Sequence, residues 1–373
     1  MGKNRLFFAL SLLVAAAMVL GACAQAAPTA APTSAPPPTQ PPAPTEPPPP
    51  TAEPMPAIGS PEHPIKVLFV PSVDAQTIVA GGEIMAQALN EATGLTYEVS
   101  VPTSYAATIE EMCASPADTI GFIPALGYAL ASNLCGVDVS FKAVRFGFDV
   151  YWAQILVQRD SPYQTLADLA GKKWGYGDVA STSGYMVPLV MLQEAGVVPS
   201  EAIQTGGHNQ SAQAVYNGEV DFATTFFSPA TLVDTGAVVW KEGDDPDIPA
   251  DLVSSCKLNA DKSALVCGNY RVRDARANIR EAAPDVVQKT RILMISPPIP
   301  NDTLSFGPDF PADVRAQIED ALVAFSQTEE WAASIGSQDF YNWTGLSPAT
   351  DAEYDFVRSM AAATGLTLEG LGQ

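Results

Sequence analysis

The sequence predicts an α/β protein with two lobes. Short apolar runs typical of buried strands alternate with helical patterns, an order that favours mostly parallel sheets. About 315 residues follow a proline-rich N-terminal segment, which is more than a single hydrophobic core usually holds. Residues 151–158 alternate between apolar and polar side chains enough to suggest a strand that crosses from one lobe to the other.

The first part of the folded region follows a regular strand and helix order. Residues 65–70 are apolar apart from Lys66, as expected of a buried strand, and Pro71 ends the run. The next helix is predicted over 78–92, where apolar residues recur at helical spacing. The same criteria predict strands at 97–101, 119–123 and 139–144, and helices at 106–113 and 126–134.

The second part is less regular. Residues 165–171 form a small capped helix, and Pro188 lies inside a predicted helix, which it should kink or make irregular. Residues 206–209 are predicted as a loop, and Gly218 as a helix stop. Further strands are expected at 220–227 and 290–296, and further helices at 211–217, 311–326 and 351–363.

The segment 241–283 is charged and is predicted to be irregular. Its four closely spaced aspartates suggest calcium, but they lack the glycine and terminal glutamate of an EF-hand loop. A solvated acidic loop is therefore the favoured interpretation for Asp244, Asp245, Asp247 and Asp251.

The N-terminus has the pattern of an export signal. Lys3 and Arg5 precede a short apolar run, which is shorter than the roughly 20 residues that a membrane-spanning helix needs. The run ends in Leu-Gly-Ala before Cys23, which resembles the bacterial lipobox. This resemblance implies a signal peptide over 1–22 and lipidation of Cys23. An ordinary secretory signal with an incidental cysteine is the alternative.

Residues 23–57 are predicted to form a tether between Cys23 and the folded region. Alanine, proline and threonine dominate it, so it cannot pack a core, and proline favours extended polyproline II. A mucin-like glycosylated stalk is the alternative interpretation.

The charge of the chain excludes nucleic acid as a partner. The formal net charge is −22, and removal of Lys3 and Arg5 with the signal would make it −24. Such a surface repels polyanions. An anionic ligand would therefore have to be captured by local donors against the overall field.

Four cysteines remain beyond Cys23, and an even number in an exported chain predicts disulfides. The pairs that are near in sequence are favoured, Cys113 with Cys135 and Cys256 with Cys267. No two cysteines have zinc-finger spacing and the chain has two histidines, so we predict no metal site. No cofactor is predicted either.

Residues 173–196 have the pattern of a short strand, a hydroxyl-rich turn and a helix. Ser181, Thr182 and Ser183 stand where the helix begins, and Gly184 lets backbone approach a ligand closely. The first turn of a helix has free N–H groups and the positive end of its dipole. This arrangement fits a tetrahedral oxyanion, and an ordinary serine or threonine cap is the equally plain alternative.

Four patches together resemble the phosphate, phosphite and phosphonate substrate-binding proteins of ABC importers. The resemblance covers roughly residues 65–345. The patches are Ser181-Thr-Ser-Gly-Tyr-Met-Val-Pro188, Gly207-His208 with 214–221, Ser296-Pro-Pro-Ile-Pro-Asn-Asp302, and Val101-Pro-Thr-Ser-Tyr105.

This resemblance implies a type II periplasmic-binding-protein fold, with two lobes joined by two crossing strands and a ligand cleft between them. Lobe 1 would comprise 58–148 and 298–373, and lobe 2 would comprise 149–297. The ligand-binding residues that the resemblance implies are Ser181, Thr182, Ser183, Tyr105, Tyr151, His208 and Asp302.

Asp302 would select among oxyanions. A carboxylate beside an anion is unfavourable unless the anion carries a proton to share, so Asp302 would accept a hydrogen bond from P–OH and reject sulfate. Members that favour aminoalkyl phosphonates carry an acidic residue after the strand at 220–227, whereas this chain has Thr225-Phe-Phe-Ser-Pro229 there. Phosphate, phosphite or a small alkylphosphonate therefore fits better than an amino compound.

The predicted function is that of a receptor that delivers a phosphorus oxyanion to an ABC permease. The protein would be an exported monomer, anchored at Cys23 to the outer face of the cytoplasmic membrane or in the periplasm. Receptors for another small anion, a sulfonate or a thiamine precursor, or a ligand-presenting sensor of the same fold, remain alternatives. An enzyme is not expected, because no Gly-x-Ser-x-Gly elbow accompanies Ser183 and His208 and no Walker loop is present.

Overall fold

The computed structural model describes residues 56–368. The predicted signal peptide over 1–22, the lipidation site at Cys23 and nearly all of the predicted tether lie outside these residues. Within the described part, no helix combines the length and apolar character needed to cross a membrane.

The described chain contains 16 strands and eight α-helices, with shorter 3₁₀ and π turns between them. The strands are β1 (Ile65–Phe69), β2 (Tyr97–Ser100), β3 (Thr119–Ile123), β4 (Asp138–Val144), β5 (Val150–Gln158), β6 (Lys173–Tyr176), β7 (Glu201–Gln204), β8 (Phe222–Phe227), β9 (Thr231–Leu232), β10 (Lys257–Leu258), β11 (Leu265–Cys267), β12 (Tyr270–Arg271), β13 (Thr290–Ile295), β14 (Ile299–Pro300), β15 (Thr303–Phe306) and β16 (Gly345–Pro348). The helices are α1 (Ala75–Thr93), α2 (Tyr105–Ala114), α3 (Ala125–Cys135), α4 (Val187–Glu194), α5 (His208–Asn217), α6 (Val286–Lys289), α7 (Ala312–Phe325) and α8 (Asp355–Thr364).

One six-stranded sheet has the order β16-β4-β15-β3-β1-β2. β1 runs parallel to β2 and β3, whereas β15 is antiparallel to both of its neighbours, β3 and β4. β1 is buried along almost its whole length, because helices cover the faces of a parallel sheet and its strands then favour apolar residues throughout.

A second sheet has the order β13-β5-β8-β6-β7, and β14 pairs with the start of β5. The chain leaves the first sheet after β4 and returns to it at β15. It therefore passes between the sheets twice, along β5 and along the segment from β13 to β15. This arrangement confirms the predicted fold class, two α/β lobes with two crossing segments.

The expectation of mostly parallel sheets was wrong. In each of the two sheets, parallel and antiparallel pairs are both present. The physical reason is the double crossing, because a strand that re-enters a lobe from the other one runs against the strands that it joins. Thus β15 lies between β3 and β4, and β5 lies between β13 and β8.

The segment 241–283 is also more ordered than the sequence predicts. Three short strands, β10 to β12, pair with β9 in a small antiparallel sheet. Its side chains Leu265 and Cys267 are fully buried in a core shared with Trp152 of β5. The predicted solvated loop also needs correction at Asp247, which accepts hydrogen bonds from Arg159 and Arg276 instead of facing water.

The structure contains both predicted disulfides. Cys113 at the end of α2 is bonded to Cys135 at the end of α3, and Cys256 is bonded to Cys267 beside the small sheet. The bonded cysteines are 22 and 11 residues apart in sequence, so both bonds close short loops. Each bond reduces the conformational entropy of the unfolded chain.

Candidate functional site

A cavity lies where the ends of the two sheets meet. Its volume is about 50 Å³, which is enough for a few water molecules or a small oxyanion. Both lobes contribute to its wall, as does the segment after α7. The lining residues are Val70, Ser72, Val73, Tyr105, Phe122, Pro124, Arg145, Tyr151, Ser181, Ser183, His208, Phe226, Ser228, Asp302, Gln338, Phe340, Tyr341 and Asn342.

The hydroxyl-rich turn after β6 forms one edge of this cavity. Ser181 precedes a π-helical turn, Thr182–Met186, and the backbone carbonyl of Ser181 accepts from both Tyr185 and Met186. The predicted irregularity near Pro188 is thus a π turn, and Pro188 itself stands in the first turn of α4, where its missing N–H breaks no helical bond.

Ser181 caps the turn and also lines the cavity. Its Oγ accepts a hydrogen bond from the Gly184 N–H at 3.1 Å, as a capping serine does. A hydroxyl that accepts still has its own proton to donate, and Ser181 lines the cavity. The cap therefore orients a donor toward the space where a ligand would lie.

Ser183 lines the cavity as well, whereas Thr182 does not. The Thr182 Oγ1 accepts a hydrogen bond from the Leu126 N–H at 2.8 Å, at the beginning of α3. Thr182 therefore ties the turn to the other lobe instead of lining the cavity. Both hydroxyls also lie beside the hydroxyl of Tyr151.

Both predicted tyrosines lie on the cavity wall. Tyr105 begins α2, whose cap is Ser104, and Tyr151 lies at the start of β5 opposite Ile299 of β14. Burial, the main cause, raises the pKa of both phenols. Both hydroxyls are therefore protonated donors at neutral pH.

His208 begins helix α5 instead of lying in a loop, which corrects the prediction for 206–209. The helix begins early because the His208 N–H donates to the Ser72 carbonyl across the cleft, and because Gly207 and Gly177 allow close backbone approach. A methyl group on Gly177 would lie 2.9 Å from the Gly207 carbonyl carbon. The glycine pair thus brings the histidine loop and the hydroxyl-rich turn together.

The imidazole of His208 is buried and uncharged. Its exposed fraction is 6 %, and its ring meets the Phe226 ring edge to face at 5.2 Å between centroids. Burial, and then the positive charge of Arg145, lower the pKa of His208 to about 4. Its Nδ1 is buried and has no hydrogen-bond partner among the described residues. A buried nitrogen without a partner is costly, so this atom is available to a ligand.

Asp302 lies on the cavity wall, but its carboxylate is not free. The Arg145 Nη2 donates to Asp302 Oδ2 at 2.6 Å. Arg145 also donates from Nε to the Tyr341 carbonyl at 3.0 Å and from Nη1 to the Asn301 side chain. An ion pair therefore stands where the sequence predicts a lone carboxylate.

Sequence reasoning missed Arg145, Tyr341, Ser72 and Phe226 as cavity residues. Arg145 follows β4 at the first crossing, and Asp302 precedes β15 at the second, so the two crossings bring them together. A basic residue at the start of a crossing segment is the signal that could have identified Arg145. The structure otherwise brings six of the seven predicted residues to the cavity, all except Thr182.

The described residues contain no cluster of three or more histidine, cysteine or acidic side chains that could hold a metal ion. The cavity is instead a set of neutral donors with one ion pair. Such a set can bind and orient a small anion through hydrogen bonds.

Comparison with known proteins identifies the family. The sequence profile described as "ABC transporter, phosphonate, periplasmic substrate-binding protein" matches residues 67–354. The Phosphate-import protein PhnD of Mycolicibacterium smegmatis is 28% identical over 329 residues, which is 83% of this chain and 88% of that protein. The Phosphonates-binding periplasmic protein of Escherichia coli is 34% identical over 116 residues, 27% of this chain and 33% of that protein.

Solved structures support the fold. A binding protein component of an ABC phosphonate transporter from Pseudomonas aeruginosa has a TM-score of 0.60 at 17% identity, covering 81% of this chain and 86% of that one. PhnD1 from Prochlorococcus marinus, in complex with methylphosphonate, has a TM-score of 0.59 at 13% identity, covering 81% and 98%.

These matches confirm three sequence-based predictions at the level of the family. Its members are substrate-binding proteins of transporters and not enzymes, they act outside the cytoplasm, and they work with an ABC permease. The profile matches well over half of the chain. The protein therefore belongs to the family of periplasmic phosphonate substrate-binding proteins of ABC transporters.

Proposed function

We propose that the protein binds a phosphorus oxyanion, namely phosphate, phosphite or a small alkylphosphonate, and delivers it to an ABC importer. The observation that carries this proposal is the cavity itself, a small space lined by protonated hydroxyls and by a buried His208 Nδ1 without a partner in the described part of the chain. One relative is a phosphate-import protein and one structural neighbour was solved with bound methylphosphonate, and both agree with the proposal.

In this proposal each polar group has a part. Ser181, Ser183, Tyr105 and Tyr151 donate to the oxyanion, and His208 Nδ1 forms one further hydrogen bond. Asp302 accepts from P–OH, which sulfate cannot offer at neutral pH. Thr182 supports the turn and the Tyr151 hydroxyl without lining the cavity.

Ligand binding would close the cleft between lobe 1, residues 58–148 and 298–373, and lobe 2, residues 149–297. Closure removes water, and each hydrogen bond to the anion becomes stronger in the less polar surroundings. Anchorage through lipidated Cys23 and the tether would keep a monomeric receptor near its permease.

The side group of the ligand would be small and uncharged. Phe226 packs against His208 and lines the cavity where an amine-binding member would need a carboxylate. We therefore expect weak binding of 2-aminoethylphosphonate.

Calorimetric titration of the purified chain, stripped of ligand by unfolding and refolding, tests the proposal. Phosphate, phosphite or methylphosphonate should bind one to one, and sulfate should give no heat. Failure of all phosphorus compounds to bind a chain with native circular dichroism would contradict it. Chemical turnover of a bound compound would contradict it as well.

A further inference from the structure

Among the described residues of the cavity wall, Arg145 is the only basic one apart from neutral His208, and Asp302 is the only acidic one. The guanidinium carbon also lies 5.6 Å from the centre of the Tyr151 ring. Its side chain is 11 % exposed, so the charge is mostly removed from water. The positive and negative charges of the pair cancel within the wall.

The geometry of Arg145 leaves it able to bind a further anion. A guanidinium has five N–H groups, and three of its nitrogens each donate once to a described partner. Asn301 is fully buried, and its Nδ2 donates to the Ala143 and Phe148 carbonyls, which holds its Oδ1 toward Arg145. The arginine is therefore held in place while two of its N–H groups remain for a ligand.

The charges of Asp302 and Arg145 determine whether a doubly charged ligand can be bound. Beside an unpaired carboxylate, a ligand monoanion gives a local formal charge of −2. With Arg145 present, a ligand dianion gives the same −2. Arg145 thus makes a doubly charged ligand as acceptable to this wall as a singly charged one would be without it.

Asp302 adds a second requirement, since it needs a proton donor on the ligand. Hydrogen phosphate meets both conditions, because its dianion still carries one P–OH. The dianions of methylphosphonate, phosphite and sulfate carry no O–H, and the singly protonated forms that keep one become scarce as the pH rises above the second ionisation.

We propose that the Arg145–Asp302 pair makes the cleft selective for the hydrogen phosphate dianion, with Arg145 as the specificity-determining residue. This inference rests on the proposed function and narrows it. In the complex, the free N–H groups of Arg145 donate to two phosphate oxygens, and Asp302 accepts from the P–OH while it stays paired with Arg145.

The test is a calorimetric titration at pH values from about 5.5 to about 8.5, which spans the second ionisation of phosphate esters and their analogues. The titratable and charged groups facing the pair or the cavity are Asp302, Arg145, His208, Tyr105, Tyr151, Tyr341 and, behind Tyr105, Asp178. His208 titrates below this range, and the tyrosines above it. Asp178 is unchanged in every variant, so a comparison of the same pH series between variants cancels its contribution.

For the unchanged chain we expect the affinity for phosphate to hold or rise across this range. The affinity for methylphosphonate should fall, approaching tenfold per pH unit once its second proton is lost. In Arg145→Gln, phosphate should also bind more weakly as the pH rises, by about ten- to a hundredfold at the upper end. Arg145→Lys, which keeps the charge, should restore the pH profile of phosphate in part.

The double variant Arg145→Gln with Asp302→Asn guards against a trivial loss of folding, because it leaves no unpaired charge. It should bind phosphate and methylphosphonate with similar affinity at the upper pH. Equal pH profiles for the two ligands in the unchanged chain would overturn the inference and leave the proposed function standing. Absence of binding by every phosphorus compound would instead remove the proposed function.

Discussion

Arg276 and Arg145 each lie in a cluster of hydrogen bonds and ion pairs. The two clusters differ in the kind of partners that the guanidinium has and in whether it borders a cavity. Arg276 is fully buried, and all three of its guanidinium nitrogens donate to carboxylates, two to Asp274 and one to Asp247. Arg145 donates to a single carboxylate, an amide and a carbonyl, and it borders a cavity.

The difference separates an enclosed ion-pair cluster from the cavity at which we propose that the ligand binds. Around Arg276 the charges are enclosed, and Arg159 supplies a second cation to Asp247, so two arginines meet two aspartates. Around the cavity, two N–H groups of Arg145 and the Nδ1 of His208 have no partner among the described residues. The Arg276 cluster is thus satisfied within the fold, whereas these cavity groups can still form hydrogen bonds.

Replacement of Arg276 should give the largest effect. Arg276→Met leaves Asp274 buried without its cation, and we expect a loss of about 3–5 kcal/mol in the free energy of unfolding. Urea denaturation measures this loss, and Arg145→Gln is the matched control, with a smaller loss because its site is partly open to water. Equal losses in the two variants would abolish the distinction between the clusters.

The two histidines should give opposite dependences of stability on pH. The pKa of His208 falls from 6.5 in the unfolded chain to about 4 in the fold, so the unfolded state binds more protons between these values. The contribution of neutral His208 to the free energy of unfolding is therefore fully present above pH 6.5. As the pH falls toward 4, the free energy of unfolding decreases by up to about 3 kcal/mol.

Urea midpoints of the ligand-free chain and of His208→Gln at several pH values measure this term. The stability of the unchanged chain relative to His208→Gln should rise with pH, by up to about 3 kcal/mol between pH 4 and 6.5. His63 is the control, because its bond to Asp118, followed by its bond to the Pro56 carbonyl, raises its pKa. The stabilisation from His63 is present below pH 6.5 and is lost as the pH rises through its folded pKa. The same sign of pH dependence for His208→Gln and for His63→Gln, each measured against the unchanged chain, would contradict these assignments.

Two buried serines, one on the cavity wall and one within a sheet, test the same distinction with the smallest expected effects. Ser183→Ala removes a donor from the cavity, and the affinity for the phosphorus ligand should fall about tenfold or more, the value of one hydrogen bond to a charged group. Ser305 is as buried as Ser183, but its Oγ donates to Thr303 Oγ1 at 2.8 Å, within the first sheet. Ser305→Ala should lower stability by about 1 kcal/mol and leave the affinity unchanged. The reverse pattern would show that the hydroxyl turn serves the fold alone.

The parts of the fold that the sequence predicts are those whose own residues determine them. β1 is apolar apart from Lys66, and the strand at Thr119–Ile123 was predicted to the residue. β7, β15 and β16 were missed, because each has only four residues and owes its form to its neighbours. β15, for example, follows a proline-rich turn and becomes a strand by fitting between β3 and β4.

The residues of the candidate site are likewise predictable where the local sequence identifies them. The hydroxyl run, the tyrosines, His208 and Asp302 each stand in a recognisable stretch of sequence. Arg145 does not, and it is 157 residues from Asp302. Its role depends on two crossings that meet in space, and Thr182 was assigned to the cavity because a side chain's direction cannot be read from its neighbours in sequence.

The π-helical turn Thr182–Met186 makes the site depend on chain length as well as on residue identity. Its five-residue step from Ser181 to Met186 holds one residue more than an α-helical turn requires. Each residue advances an α-helix by about 100°, so one residue fewer would rotate Ser181 by that angle relative to α4. A relative with the same Ser-Thr-Ser run and a deletion before its proline would carry the motif, but its hydroxyls would point away from the cavity.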